Sequence, residues 1–393
     1  MNTYEISTFR LIRSAIHVSY SAALAVCFAV SVGCSGGGGN NATVMEEPQQ
    51  QKAPFQELYD QGIDRYLGKY SPMLSETEGD VVTHTFGAGD GPLCISGAEY
   101  RMATRDKGSR ELMIFLRGGG FCASTYCLMG LPSGERGIPK QGVLDPARPG
   151  NPVASWSTVY VPYCDGGLHI SDSDNDSNGD GQADRYQRGL RNLSAALDVA
   201  VATFPSPSRI LLAGGSAGGT GASFALPLVR KLYPDVPIEL VNDSGVGLFR
   251  LNDPQYFKAG LEEWNADAFF PASCSTCIDA DGHITDYHKW ELGQDPNFRL
   301  GMMSFKQDLR MAFGYGGDLE QFEQALVEEM AELEGAYPER VRSFLPDGTD
   351  HVILWDGLDT KNALDVTAGG VSAINWVTAM LSGSADWAST RDE

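Results

Sequence analysis

Short apolar runs punctuate the chain at 112–116, 158–161, 210–213, 238–241, 300–303 and 341–345. Each is too brief for a helix and rich in Val, Ile, Leu, Met or Phe, which predicts buried strands. Between residues 186 and 204, Leu190, Leu193, Leu197 and Val201 recur at three- and four-residue steps, one apolar helical face. Segments 220–231, 320–336 and 371–382 also read as helical. Strands alternating with helices predict the α/β class: a mainly parallel sheet with helices on both faces, as in an α/β-hydrolase. Chemistry then collects beyond the carboxyl ends of the strands. No internal repeat interrupts residues 54–393, which read as one catalytic domain with an acidic insert at 171–185.

The first 53 residues follow different rules. Arg10 and Arg13 precede an apolar run from Ala22 to Val30 that ends at Ser31-Val-Gly-Cys34, and no charge appears before Glu46. This pattern predicts a secretory signal over residues 1–33. It resembles a bacterial lipobox, with Cys34 acylated, although Ser31 stands where an aliphatic residue is usual. An uncleaved anchor is the alternative, since the uncharged stretch approaches the ~20 residues that span a bilayer. Residues 34–53, beginning Cys-Ser-Gly-Gly-Gly-Gly, read as a flexible tether. The expectation is an exported cell-envelope lipoprotein, held to the outer membrane through its lipid, or a secreted protein.

Hydrophobic residues make up 42% and charged residues 20%, enough for a large core and too apolar for a disordered chain. Acidic residues number 51 against 29 basic ones, a formal net charge of −22. A surface so negative excludes nucleic acid as a partner. Beyond Cys27 and Cys34 six cysteines remain, and an even number in an exported chain points to disulfides. Several connectivities are open; local spacing favours Cys122–Cys127 and Cys274–Cys277, leaving Cys94–Cys164. A zinc site is the weaker reading, because no second Cys-x-x-Cys or paired His accompanies Cys274 and Cys277.

The run 210–213 leads directly into Gly214-Gly-Ser216-Ala-Gly218-Gly219, with helical spacing behind it. Gly-x-Ser-x-Gly between strand and helix is the nucleophile elbow of α/β-hydrolases. Upstream, Arg117-Gly-Gly-Gly-Phe-Cys122 follows the run 112–116, where such folds place an oxyanion loop. The amides of Gly120, Phe121 and Ala217 are the expected donors. A phosphate loop would end in Gly-Lys-Ser/Thr, and this one does not. The order nucleophile, acid, histidine removes His84 and His169, while His283 and His288 precede the run 300–303. His351, just past the run 341–345, is the expected base. Asp308, after 300–303, is the expected acid; Asp243 is the runner-up, one strand early, and Asp350 is set aside as the histidine's sequence neighbour.

These motifs resemble the pectin acetylesterase and Notum family of serine carboxylesterases. The Gly-rich loop ending in Cys122, the segment Val161-Pro-Tyr-Cys164 with His169 behind it, the elbow at 214–219 and Asp243-Ser-Gly245 carry the resemblance. The resemblance spans roughly residues 90–355 and implies deacylation of O-acyl esters, with no cofactor for catalysis. The tryptophan common in the family's oxyanion loop is Phe121 here, and the acidic insert follows His169. Since the family includes both polysaccharide deacetylases and a lipidated-protein deacylase, it implies the chemistry more closely than the substrate. The negative charge favours a neutral acetylated polysaccharide, or a simple ester, over anionic pectin. A lipase or polyester hydrolase, and a non-catalytic calcium-dependent surface binding lipoprotein, are the alternatives.

The insert places oxygen donors at alternate positions: Asp172, Asp174, Asp176, Asn178 and Asp180, with Gly181 and then Asp184. Calcium takes six to eight such oxygens from a flexible loop. The pattern resembles Asp-x-Asn-x-Asp-Gly-x-x-Asp calcium loops and predicts a structural Ca2+ site; the alternative is a solvated acidic loop.

Overall fold

The computed structural model describes residues 53–87, 89–124, 126–129, 134–355 and 363–392. The leader, Cys34 and the tether lie outside the described residues. Lys52–Glu393 form one compact unit.

Its frame is a ten-stranded sheet whose strands, numbered along the chain, are β1 (Leu74–Glu78), β2 (Val81–Thr85), β3 (Arg101–Arg105), β4 (Glu111–Leu116), β5 (Ser157–Val161), β6 (Arg209–Gly215), β7 (Ile238–Asp243), β8 (Phe298–Met303), β9 (Val341–Leu345) and β10 (Thr390–Arg391). They lie side by side in the order β1-β2-β3-β5-β4-β6-β7-β8-β9-β10. The pairs from β1 through β3 to β5 are antiparallel, and every pair from β5 onward is parallel. This is an α/β-hydrolase sheet.

The central strands read as unbroken apolar runs because both of their faces are buried. Leu112, Ile114 and Leu116 point into one core with Ile210, Leu212 and Leu240. Met113 and Phe115 point into the other with Leu211, Ala213 and Val241. Helices α2 (Gly189–Thr203) and α3 (Ala217–Leu232) cover the first face, and α8 (Ala373–Ser382) contributes Trp376, Val377 and Met380 to the second. Between β7 and β8 the chain leaves the sheet for α4 (Pro254–Glu263) and α5 (Thr285–Gln294); α6 (Leu309–Tyr315) and α7 (Leu319–Ala336) lie between β8 and β9. The short α1 (Gln56–Asp60) opens the unit.

The two cysteine pairs favoured by spacing, Cys122–Cys127 and Cys274–Cys277, are joined, and so is the remaining pair, Cys94–Cys164. Among the described residues no helix is long and apolar enough to cross a membrane.

Candidate active site

Ser216 joins β6 to α3 at φ 58° and ψ −128°, a conformation that L-residues rarely adopt. The glycines around it are demanded by contact. A Cβ on Gly214 would lie 2.1 Å from the Gly218 carbonyl oxygen, and one on Gly218 would lie 2.1 Å from that of Leu116. The serine amide donates to the Asp243 carbonyl at 2.7 Å, which ties the turn to the end of β7.

Asp308 caps α6. Its Oδ1 accepts from the amides of Arg310 and Met311 at 3.0 and 3.1 Å. Its Oδ2 stands 2.7 Å from His351 Nδ1, and both side chains are buried. A carboxylate facing Nδ1 places the imidazole proton there and leaves Nε2 as the acceptor. The loop bearing His351 turns sharply at Val352, φ 64°. Val352 Cγ1 lies 3.1 Å from the position a Cβ on Gly215 would take, so the loop packs on the residue preceding Ser216. Asp350, next to the histidine, accepts the His351 amide at 2.7 Å.

The other described histidines have different partners. His84 lies between Ser75 and Thr104, and burial lowers its pKa. His288 is buried with Nδ1 3.1 Å from Glu291, and burial pushes it down to about 4. His283 stacks on Tyr315. His169 is also pushed down by burial and donates Nε2–H to the Arg117 carbonyl at 2.9 Å, bracing the start of the oxyanion loop.

That loop touches the elbow: a Cβ on Gly118 would sit 2.2 Å from the Gly215 carbonyl oxygen and 3.2 Å from the Ala217 nitrogen. It continues into a hairpin pairing Gly120–Ala123 with Tyr126–Met129, clasped by Cys122–Cys127. Cys122 donates its amide away from the hairpin, to Gly166 O at 2.7 Å. In an antiparallel ladder alternate amides face the partner strand. The amide of Phe121 is thereby directed toward Leu128 and withdrawn from the expected donor set. The Phe121 ring packs on Tyr126, Tyr256 and Trp264 beside an aromatic cleft that Phe249 and Phe257 complete. Trp264 Nε1 and Gln187 Nε2 both donate to the Cys122 carbonyl, each at 2.7 Å.

The acidic insert, expected to hold calcium, has partners for its oxygens within the chain. It is a hairpin pairing Ser173–Asn175 with Arg185–Gln187. Asp172 is held by Arg65 and Arg191 at 2.7 Å each and by the Tyr66 hydroxyl at 2.9 Å. Burial alone would raise its pKa, but these hydrogen bonds hold it below the usual carboxylate range. Asp174 makes a two-pronged pair with Arg188 at 2.7 and 2.6 Å. Asp176 accepts the amides of Gly179, Asp180 and Gly181, Asn178 accepts from Asp180, Asp180 from Gln182, and Asp184 from Ser177. The carboxylates thus point at guanidinium groups and amides instead of converging. Among the described residues no group of three acidic, His or Cys side chains is arranged to hold a metal ion. Of the expected donors, Asp172 and Asp174 are arginine partners.

Three features escaped the sequence. His169 carries a structural role, Gln187 and Trp264 brace the oxyanion hairpin, and Asp243 receives the backbone beyond His351. Of these, the family motifs around His169 and Asp243 were the visible signals.

Residues 85–259 match the family described as pectinacetylesterase. Palmitoleoyl-protein carboxylesterase notum1' of Xenopus laevis is 28% identical over 170 residues, covering 39% of this chain and 33% of that protein. Imidazole glycerol phosphate synthase subunit HisF of Methanosarcina acetivorans is 34% identical over 83 residues, 21% of this chain and 26% of that protein. The chain therefore spans a third or less of the length of the relatives it matches.

Proposed function

From the match of residues 85–259 to the pectinacetylesterase family and the similarity to a Notum carboxylesterase, we propose that this chain is a serine carboxylesterase that removes O-acetyl groups from a neutral glycan. The observations that carry the reading are the strained Ser216, the packing of Val352 on the residue before it, and the 2.7 Å contact between Asp308 and His351.

In this mechanism Ser216 Oγ attacks the ester carbonyl and His351 Nε2 takes its proton. Asp308 holds the Nδ1–H and stabilises the imidazolium. Negative charge developing on the carbonyl oxygen meets the amides of Gly120 and Ala217. Collapse of the tetrahedral species expels the sugar hydroxyl, which receives the proton from His351. Water then enters by the same base and releases acetate. The leader motif carries an accompanying proposal, that the enzyme is exported and acylated at Cys34. Radiolabelled palmitate incorporated by the wild type and lost in Cys34→Ser would support it.

Hydrolysis of p-nitrophenyl acetate, butyrate and octanoate tests the chemistry. The expected result is turnover biased to acetate and abolished in Ser216→Ala without loss of fold. Preference for octanoate would favour a lipid or polyester substrate. Undiminished turnover in Ser216→Ala would remove the nucleophile assignment, and a folded wild type inert to all three esters would favour a binding protein.

A further inference from the structure

The loops bearing Ser216, Asp308 and His351 come from three different strands, and all three touch one dipeptide at the end of β7. The Asp243 carbonyl accepts the Ser216 amide at 2.7 Å, and the Ser244 amide donates to Met303 O, the last residue of β8, at 2.7 Å. Asp243 Oδ2 accepts the amides of Ile353 and Leu354, both at 2.7 Å. Ser244 Oγ accepts the Val352 amide at 3.2 Å and donates to Asp243 Oδ1 at 3.3 Å. Every amide from Val352 to Leu354, the three residues following the histidine, is therefore held by this pair.

We propose that Asp243 is a positioning residue for the hydrolysis, fixing His351 over Ser216 through the Ile353 and Leu354 amides, with Ser244 as the second anchor. The proposal rests on the serine-esterase reading above. Its physical basis is the cost of the arrangement. Asp243 is fully buried, and among the described residues no Lys or Arg forms an ion pair with it. An unpaired buried carboxylate is expensive unless its oxygens are satisfied. Here two backbone donors from the loop bearing His351 satisfy one oxygen, and the hydroxyl of the neighbouring Ser244 the other. The turn at Val352, φ 64°, is one a β-branched residue does not adopt unaided. The amide contacts hold it.

The same geometry gives the site a second proton to lose. Burial pushes the Asp243 carboxyl up to about 6; the Leu354 and Ile353 amides and His351 pull it down, and Asp308 pushes it up. Those are the charged groups facing it from the loops after β8 and β9, and β6 presents only Gly215 and Ser216 beside it. Protonation turns an acceptor of two N–H groups into a hydroxyl-bearing one and releases the loop. Both Asp243 and His351 must then be deprotonated for turnover, so the acid limb of kcat/KM falls with a slope approaching two.

The test compares wild type, Asp243→Asn and Ser244→Ala on p-nitrophenyl acetate across the acid range, with folding checked by circular dichroism. Asp243→Asn is expected to lower kcat roughly ten- to a hundredfold with KM within about threefold, the scale of a misplaced catalytic group. Its acid limb should flatten to a slope of one, because the second titrating group is gone. A merely structural role would lower the folded fraction and leave the slope alone. Ser244→Ala should lower kcat about threefold, the loss of one modest hydrogen bond, and retain the steep limb. Wild-type kcat and an unchanged slope in folded Asp243→Asn would overturn the proposal. If Asp243→Asn does not fold, an unchanged kcat in Ser244→Ala overturns it instead. Absence of Ser216-dependent hydrolysis in the wild type would be a failure of the esterase reading, which this comparison keeps distinct.

Discussion

Asp308 divides its two oxygens between a histidine and a helix, Oδ2 facing His351 and Oδ1 capping α6. Asn and Ala should therefore separate the two roles. Asp308→Asn keeps an acceptor for the helix amides but presents an amide toward Nδ1, so the imidazole loses its tautomer control. The expected fall in kcat is about 10³–10⁴-fold, with urea stability nearly unchanged. Asp308→Ala should lose the same activity and, in addition, about 1 kcal/mol from the missing cap. Steady-state kinetics and urea titration on both variants check this. That Asp308 and His351 meet was legible from order alone, since each follows a strand of the predicted parallel sheet. The dual use of Asp308 was not, because a helix cap and a histidine's partner look alike in one dimension. Asp243 was legible only as a rival acid. Its actual contacts run to backbone amides 110 and 111 residues away, which carry no side-chain signal.

At the scale of elements, the cross-links act on different things. Cys94–Cys164 spans 70 residues and Cys122–Cys127 spans 5. Chain-entropy reasoning assigns about 4 kcal/mol to the former and about 2 kcal/mol to the latter. Replacing both cysteines of the long link by serine should lower denaturant stability by about 2–4 kcal/mol while the folded enzyme keeps its kcat. Doing so at Cys122 and Cys127 should cost less stability but lower kcat about tenfold, because that link clasps the hairpin carrying Gly120. The parallel strands announced themselves by unbroken apolar runs. The antiparallel start of the sheet did not: β1 reads Leu-Ser-Glu-Thr-Glu and is exposed along its length, an edge strand with no inner face to encode. Helix α5, Thr-Asp-Tyr-His-Lys-Trp-Glu-Leu-Gly-Gln, has no clear apolar stripe and owes its place to tertiary packing. The insert was only partly legible for a related reason. Its alternating oxygens fit a calcium loop, but the spacing is also that of a β-hairpin, and Arg65, 107 residues from Asp172, gives no local sign of its claim on that carboxylate.

The whole molecule acts on its substrate before any residue does. A formal charge of −22 surrounds the site with a negative field, which raises the barrier to approach of a polyanion and leaves a neutral polymer unaffected. Screening distinguishes the two, because the Debye length contracts from ~30 Å at 0.01 M to ~8 Å at 0.15 M salt. If the substrate is a neutral acetylated glycan, kcat/KM on acetylated xylan should hold steady across that range. On acetylated polygalacturonate it should start low and climb several-fold, the rise appearing in KM while kcat stays fixed. Acetate release measured at both ionic strengths provides the comparison. A polygalacturonate rate that is high at low salt and falls as salt is added would mean that a local cationic surface overrides the net charge. Arg117, at the start of the oxyanion loop and stacked on Trp355, would then be the first cation to remove.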